Sequence, residues 1–321
     1  MERIKDKFSF VMPMVINHRT TEDNDLERIV KIQLPTFRKF LKLNDLHKFY
    51  IITRKQDIDI IKNTLIKEFP EFPFVFIDEL ELVPELKTFP LHQVTVHPGW
   101  IIQQLVKFEI AKQIETEYYF SFETDMFLTK SFSYKDIFND GKIICSHLTE
   151  MGKPTCEPWY MYAAALIAPG IEEFVVDKDC DNKIEDGTLY INKIMAVSPQ
   201  IFITEEMLNL IKHLEETHNM NYLSLLLRTT NGHPNTWTEY TLYWIWLFVQ
   251  NKMDLYSFEA PFISSGELWT SNYKQGFDKK YFGEFDSHVM KNKKHYFNVV
   301  QSNILDIKLD YVVNKLKPYL E

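Results

Sequence analysis

Two periodicities alternate through the start of this chain. Phe8 to Ile16 is an apolar run with the composition of a buried strand, and Asp25 to Leu43 then carries apolar residues at helical spacing. His47 to Thr53 (HKFYIIT) is strand-like again, Asp57 to Phe69 sets Ile58, Ile61, Leu65 and Ile66 on one helical face, and Pro73 to Ile77 (PFVFI) is a third strand. Strand, helix, strand, helix, strand within about 75 residues predicts an α/β fold with a mostly parallel sheet flanked by helices.

Further along, the spacing is less regular. Asp78 to Pro98 contains Pro84, Pro90 and Pro98 and has no clean period, so a long loop is expected. Gly99 opens a helix (WIIQQLVKFEIAKQI), and Glu117 to Phe122 reads as a fourth strand, with shorter ones at Phe127 and Lys142 to Ser146. Tyr160 to Ala168 is an apolar run, and Asp177 to Gly187 is acidic and turn-rich, a surface loop by composition. Leu189 to Val197 is expected as a strand, Thr204 to Thr217 as a helix capped by its own threonine, and Thr238 to Asn251 as an aromatic helix. Short strands at Leu255 to Phe258 and Tyr296 to Val300 and an amphipathic helix over Asn303 to Leu320 close the chain. With no repeat, low-complexity segment or linker, 321 residues are read as one large α/β domain.

Composition removes several ligand classes. The nine glycines never lie closer than seven residues apart, which excludes both the G-x-G-x-x-G dinucleotide fingerprint and the G-x-x-x-x-G-K-[ST] phosphate loop. A net charge of −9 argues against nucleic acid or an anionic membrane as the main partner. Cys145, Cys156 and Cys180 form no C-x-x-C pair, so neither a zinc knuckle nor a disulfide framework is indicated, and a reducing, cytoplasmic setting is the simpler expectation. The N-terminal apolar run reads as a first strand with no cleavage site after it, and the other apolar stretches are about half the roughly 20 residues a membrane span needs.

Glu123-Thr124-Asp125, in YYFSFETDMFL, is the constellation that carries chemistry. Acid-x-acid pairs are common in a chain with 45 acidic residues, but this one follows a strongly apolar strand and precedes Met126-Phe127-Leu128. Carboxylates between two core runs cost several kcal/mol unless a cation or hydrogen bonds compensate. In an extended segment residues i and i+2 point the same way, so both can face one hard divalent ion. The carboxyl end of a parallel sheet is also where α/β folds place ligands. A satisfied structural pair is the alternative.

This region resembles the D-x-D region of GT-A-fold, nucleotide-sugar-dependent glycosyltransferases. PGWIIQQLVK (Pro98 to Lys107), FSFETDMFL and Thr238-Glu239-Tyr240-Thr241-Leu242-Tyr243 are together similar to a little-characterised group of glycosyltransferase-like proteins from bacterial surface-polysaccharide clusters and large viruses. Glu123 stands where that pattern more often has Asp. The resemblance implies a GT-A-like single domain, with a nucleotide-binding half at about residues 1–130 and an acceptor-binding half with a closing helix at about 131–321. It implies Mn2+ or Mg2+ on Asp125, with Glu123 contacting the ribose or the ion through water, and His288 or His295 as a further ligand. The donor is expected to be a UDP-sugar and the acceptor a glycan or glycolipid hydroxyl, which makes the chain a hexosyl- or pentosyltransferase.

Other positions follow from the same resemblance. Asn17, Arg19, Thr53 and Arg54, at the ends of the first two strands, are placed toward the nucleobase. Lys107 faces the diphosphate or is a solvated helix lysine; Trp100, Gln103 and Gln104 on the same helix line the pocket or pack. Glu239 is a general base for an inverting transfer or an acid placed well at a positive helix end. His233, Trp237 and Trp269 are candidates for the acceptor sugar, with core packing as the default for the tryptophans. Asp177-x-Asp179-x-Asp181 fails as a calcium loop because Asn182 and Thr188 occupy its glycine and glutamate positions. No G-x-S-x-G or H-E-x-x-H occurs. A metal-dependent hydrolase and a non-catalytic glycan-binding protein are the rival functions.

Overall fold

A computed structural model describes residues 2–16, 24–89, 98–148, 157–176, 179–195, 198–229, 237–264, 290, 294–300 and 308–321. Its centre is a five-stranded sheet. β1 (Ile4–Pro13), β2 (Leu46–Thr53), β3 (Phe74–Asp78) and β4 (Thr116–Ser121) run parallel, and β6 (Gln200–Ile203) pairs antiparallel with β4. The order across the sheet is β6-β4-β1-β2-β3. The last six residues of β1 are all buried, as expected of a central strand covered on both faces.

The sequence reading holds well where periodicity is strong. β1 begins earlier and ends earlier than expected, whereas β2, β3, α3 (Lys55–Glu68), α5 (Pro98–Glu109) and β4 lie within a few residues of their predicted spans. The helix expected over Asp25 to Leu43 is interrupted: α1 (Asp25–Arg28) and α2 (Leu34–Phe40) flank a π-helical section, Ile29–Gln33. The physical cause is Pro35, which has no N–H to give to Lys31 and whose ring crowds that carbonyl. The helix widens there, and the Leu34 N–H bonds to the Ile29 carbonyl five residues back.

Elsewhere the sequence reading needs correction. The predicted loop after β3 is partly helical, with α4 (Glu79–Leu82) capped by the Asp78 carboxylate and a 3-10 turn at Pro84–Lys87. The Tyr160 run lies in a helix, α6 (Glu157–Ile167), and the acidic segment contains the short strand Lys183–Glu185. The strand expected over Leu189 to Val197 is two short ones, Thr188–Ile191 and Ile194–Met195. Thr204 does not cap α7 (Thr204–His218): its hydroxyl donates to the Thr116 carbonyl at 2.8 Å instead. β6 and α8 (Tyr222–Thr229) were not foreseen at all.

Phe8, Phe10, Phe37, Phe49, Phe120, Phe122 and Phe297 pack edge-on, tilted or stacked on one side of the sheet, Phe10 and Phe122 at 4.5 Å and 85°. β5 (Met126–Leu128) pairs with β8 (His295–Val299), which also pairs with β7 (Phe262–Ser264). The C-terminal helix α10 (Leu309–Leu320) buries Leu309, Val312 and Leu316 against Ile32, Phe127 and Val300. No helix among the described residues is long and apolar enough to cross a membrane.

Candidate active site

The strand order locates a topological switch point. From β1 the chain moves to β2 and β3 on one side, then returns to β4 on the other, so connections diverge at the carboxyl ends of β1 and β4. Open α/β sheets bind ligands at such a switch point. Glu123-Thr124-Asp125 follows β4 at this place, and Phe122 N–H still bonds to the Val11 carbonyl at 2.9 Å.

The acidic segment is a turn at Thr124 and Asp125, where an extended chain was expected. Three bonds from elsewhere fix it. Gln33 Nε2 donates to the Glu123 carbonyl at 3.0 Å, the Thr124 hydroxyl donates to Asp25 Oδ1 at 3.1 Å, and the Val300 N–H donates to the Asp125 carbonyl at 3.0 Å. Arg28, itself buried, donates to the Val300 carbonyl at 3.2 Å. Asp125 is buried, while the Glu123 side chain is 33% exposed. Among the described residues no group of three or more His, Cys, Asp or Glu is arranged for a metal.

Lys107 is not the solvated helix lysine that its position on α5 allowed. It is completely buried, and its Nζ donates to Glu239 Oε1 at 2.7 Å, with the Glu123 carboxylate 3.8 Å away. The Tyr240 hydroxyl lies 3.4 Å from the same ammonium and 3.3 Å from Ser121 Oγ at the end of β4. Burial alone would lower the Lys107 pKa, but Glu239, Tyr240 and Glu123 outweigh it and hold the ammonium charged. Glu239 opens α9 (Glu239–Val249), where Thr238 caps the helix by accepting from Thr241 N–H at 3.0 Å. The Glu239 N–H donates to Gln104 Oε1 at 3.1 Å. Burial raises the Glu239 pKa, Lys107 opposes this by less, and among the described residues Oε2 has no hydrogen-bond partner.

At the end of β2, Thr53 stands opposite Asp78 of β3, fully buried, with no partner for its hydroxyl among the described residues. Exposed Arg54 lies close enough to partly offset the burial that raises the Glu79 pKa. Gln103 and Trp100 are half-buried, and the Trp100 ring lies 5.8 Å from that of Trp159.

Two expected contacts are not formed. Trp237 was a candidate for stacking on a sugar, but it is completely buried against Phe108, its Nε1 bonded to Thr229, so protein atoms occupy its faces. His295 begins β8, five residues before the Val300 that meets Asp125, which puts it roughly 17 Å along the strand from that acid. Asn17, Arg19, His233, Trp269 and His288 lie outside the described residues. Asp25, Arg28 and Gln33 were missed from sequence, although an amide inside the apolar run IVKIQL was a visible signal for Gln33.

Residues 5–321 match the model of a family described as of unknown function, DUF6492. The chain belongs to this family. A comparison with curated proteins finds no match. Among solved structures, this DUF6492 member is similar to the crystal structure of mouse xyloside xylosyltransferase 1 in its apo form. The TM-score is 0.52 at 11% identity, over 91% of this chain and 97% of that one. At that identity the likeness is one of fold, and the GT-A-like α/β class expected from the sequence is the one observed.

Proposed function

We propose that the chain is a glycosyltransferase that moves a sugar from a nucleoside-diphosphate donor, with UDP as the expected carrier, to a hydroxyl of a glycan or glycolipid. The observation that carries this reading is the acidic turn at the sheet's switch point, in a frame that resembles a sugar transferase over most of its length. Two hard carboxylates, Asp125 and Glu123, fit a divalent ion whose remaining ligands are phosphate oxygens and water, the usual arrangement for Mg2+ at phosphate sites. Bound there, Mn2+ or Mg2+ would act as a Lewis acid toward the departing diphosphate. Lys107 keeps a positive charge beside Glu123.

In the transfer, the acceptor oxygen bonds to the anomeric carbon while the bond from that carbon to the diphosphate oxygen breaks. Two roles are open to Glu239. The 2.7 Å ion pair favours a positioning role, in which Glu239 holds Lys107 next to Glu123. The unbonded Oε2 and the raised pKa favour a base that takes the acceptor's proton, which requires surrounding side chains to move because Glu239 is completely buried. If Glu239 is the base, the rate falls on the acid side at a pH above the ordinary carboxylate range, and Glu239→Gln removes that limb. An unchanged pH profile with a reduced rate leaves the positioning role.

Thermal-shift measurements with nucleoside diphosphates and Mn2+ test the reading as a whole. Stabilisation by one nucleotide that needs the metal and disappears in Asp125→Ala is expected. Equal stabilisation in Asp125→Ala would contradict it.

A further inference from the structure

Each residue of Glu123-Thr124-Asp125 is hydrogen-bonded to a distant part of the chain: the Glu123 and Asp125 carbonyls accept from Gln33 and Val300, and the Thr124 hydroxyl donates to Asp25; Gln33 and Asp25 sit on the single helical stretch from Asp25 to Gln33. The backbone there is a turn, so the directions of the two carboxylates are not set by strand geometry; they follow from whatever fixes the turn's torsions. Gln33 is also an expensive residue for its position. It is fully buried, and among the described residues its Oε1 has no hydrogen-bond partner. Leucine would fill similar space without leaving a buried acceptor unbonded. What the amide supplies that leucine cannot is the N–H bond to Glu123. The π-helical section, set by Pro35, ends at Gln33 and so fixes where that amide points.

We propose that Gln33 and Thr124 are positioning residues, which lock the turn so that Glu123 and Asp125 present their carboxylates together to a diphosphate-bound divalent cation. This rests on the reading of those two acids given under Proposed function. Neither residue touches the ligand; both act through the backbone and through Asp25. Partners that orient metal ligands in this way commonly change metal affinity 10- to 100-fold when removed.

The test uses the full chain with Gln33→Leu and Thr124→Val, each of which deletes one hydrogen bond at nearly constant volume, and Thr124→Ser, which keeps the hydroxyl. Binding of Mn2+ with inorganic pyrophosphate, a probe independent of the nucleobase, is measured by calorimetry, alongside melting and amide hydrogen exchange across residues 122–126. Expected are wild-type melting, about tenfold weaker binding and faster exchange of the turn in Gln33→Leu and Thr124→Val. Thr124→Ser should restore both. Wild-type affinity and wild-type exchange in the two bond-deleting variants would overturn the proposal. If the wild type itself does not bind the probe, the metal reading fails, and exchange decides the clamp: unchanged protection of the turn in both variants overturns it. Thr124→Val, nearly isosteric with threonine, keeps the test open should Gln33→Leu fail to fold.

Discussion

Lys107 and Glu239 show how much one buried pair can hold. The two charges are fully buried 2.7 Å apart, and burying either one unpaired is costly because water no longer solvates it. Lys107→Met is expected to destabilise the fold by about 3–5 kcal/mol, since it leaves the Glu239 carboxylate without its cation. The double variant Lys107→Met/Glu239→Gln should lose clearly less, because no charge remains buried. Urea unfolding of the single and double variants checks this; equal losses would show that packing, and not the stranded charge, sets the cost. None of this was legible in the sequence. In the sequence Glu239 is an acid at the start of an aromatic helix and Lys107 a lysine on an amphipathic one, but 132 residues separate them and no local pattern joins them. The same limit applied to Trp237, whose chemistry suits a sugar face and a core equally until its neighbours are known.

At the level of elements, legibility followed the range of the interactions. β1, β2, β3 and the helices between them announce themselves through periodicity, and the acidic turn through its apolar flanks. β6 does not: QIFI is four residues long, and only its pairing with Tyr118 to Ser121 of β4 makes it part of the sheet. The interrupted first helix was readable in principle from Pro35, whose effect on the preceding turn is local, yet the consequence that matters, the placement of Gln33 against Glu123, is not. α10 supports this arrangement from outside through its contacts with Ile32, Phe127 and Val300. Leu316→Ala should therefore cost about 2–5 kcal/mol, as for other completely buried leucines. Chemical denaturation measures it, and a loss below 1 kcal/mol would mean that α10 is not part of the same cooperative unit.

Over the whole molecule, the proposed site and a surface ion-pair cluster sit at opposite edges of the sheet. The carboxyl edge gathers Thr53, Asp78, Glu123 and Asp125, whereas the amino edge carries Glu115, bonded to His47 at 2.6 Å and Lys48 at 2.5 Å. Those two partners hold the Glu115 pKa down to about 2 from its ordinary 4.5. A lowered acid pKa contributes stability above the unfolded value that is lost as pH falls through the folded one. Glu115→Gln should thus lower Tm at neutral pH, and its gap from the wild type should narrow as pH drops from 4.5 toward 2. A gap that stays constant with pH would assign the effect to packing. The glycine-poor composition also takes on meaning at this scale. It excludes only sites in which backbone amides cradle phosphate, and is compatible with the proposed diphosphate site at the carboxylate turn of the switch point. The most direct measurement is release of nucleoside diphosphate from a panel of nucleotide sugars, which needs no knowledge of the acceptor, with Mn2+ or a chelator and in the wild type or Asp125→Asn. The account predicts slow release from one donor that requires the metal and is abolished in Asp125→Asn. Release that is indifferent to both the chelator and the substitution would contradict it.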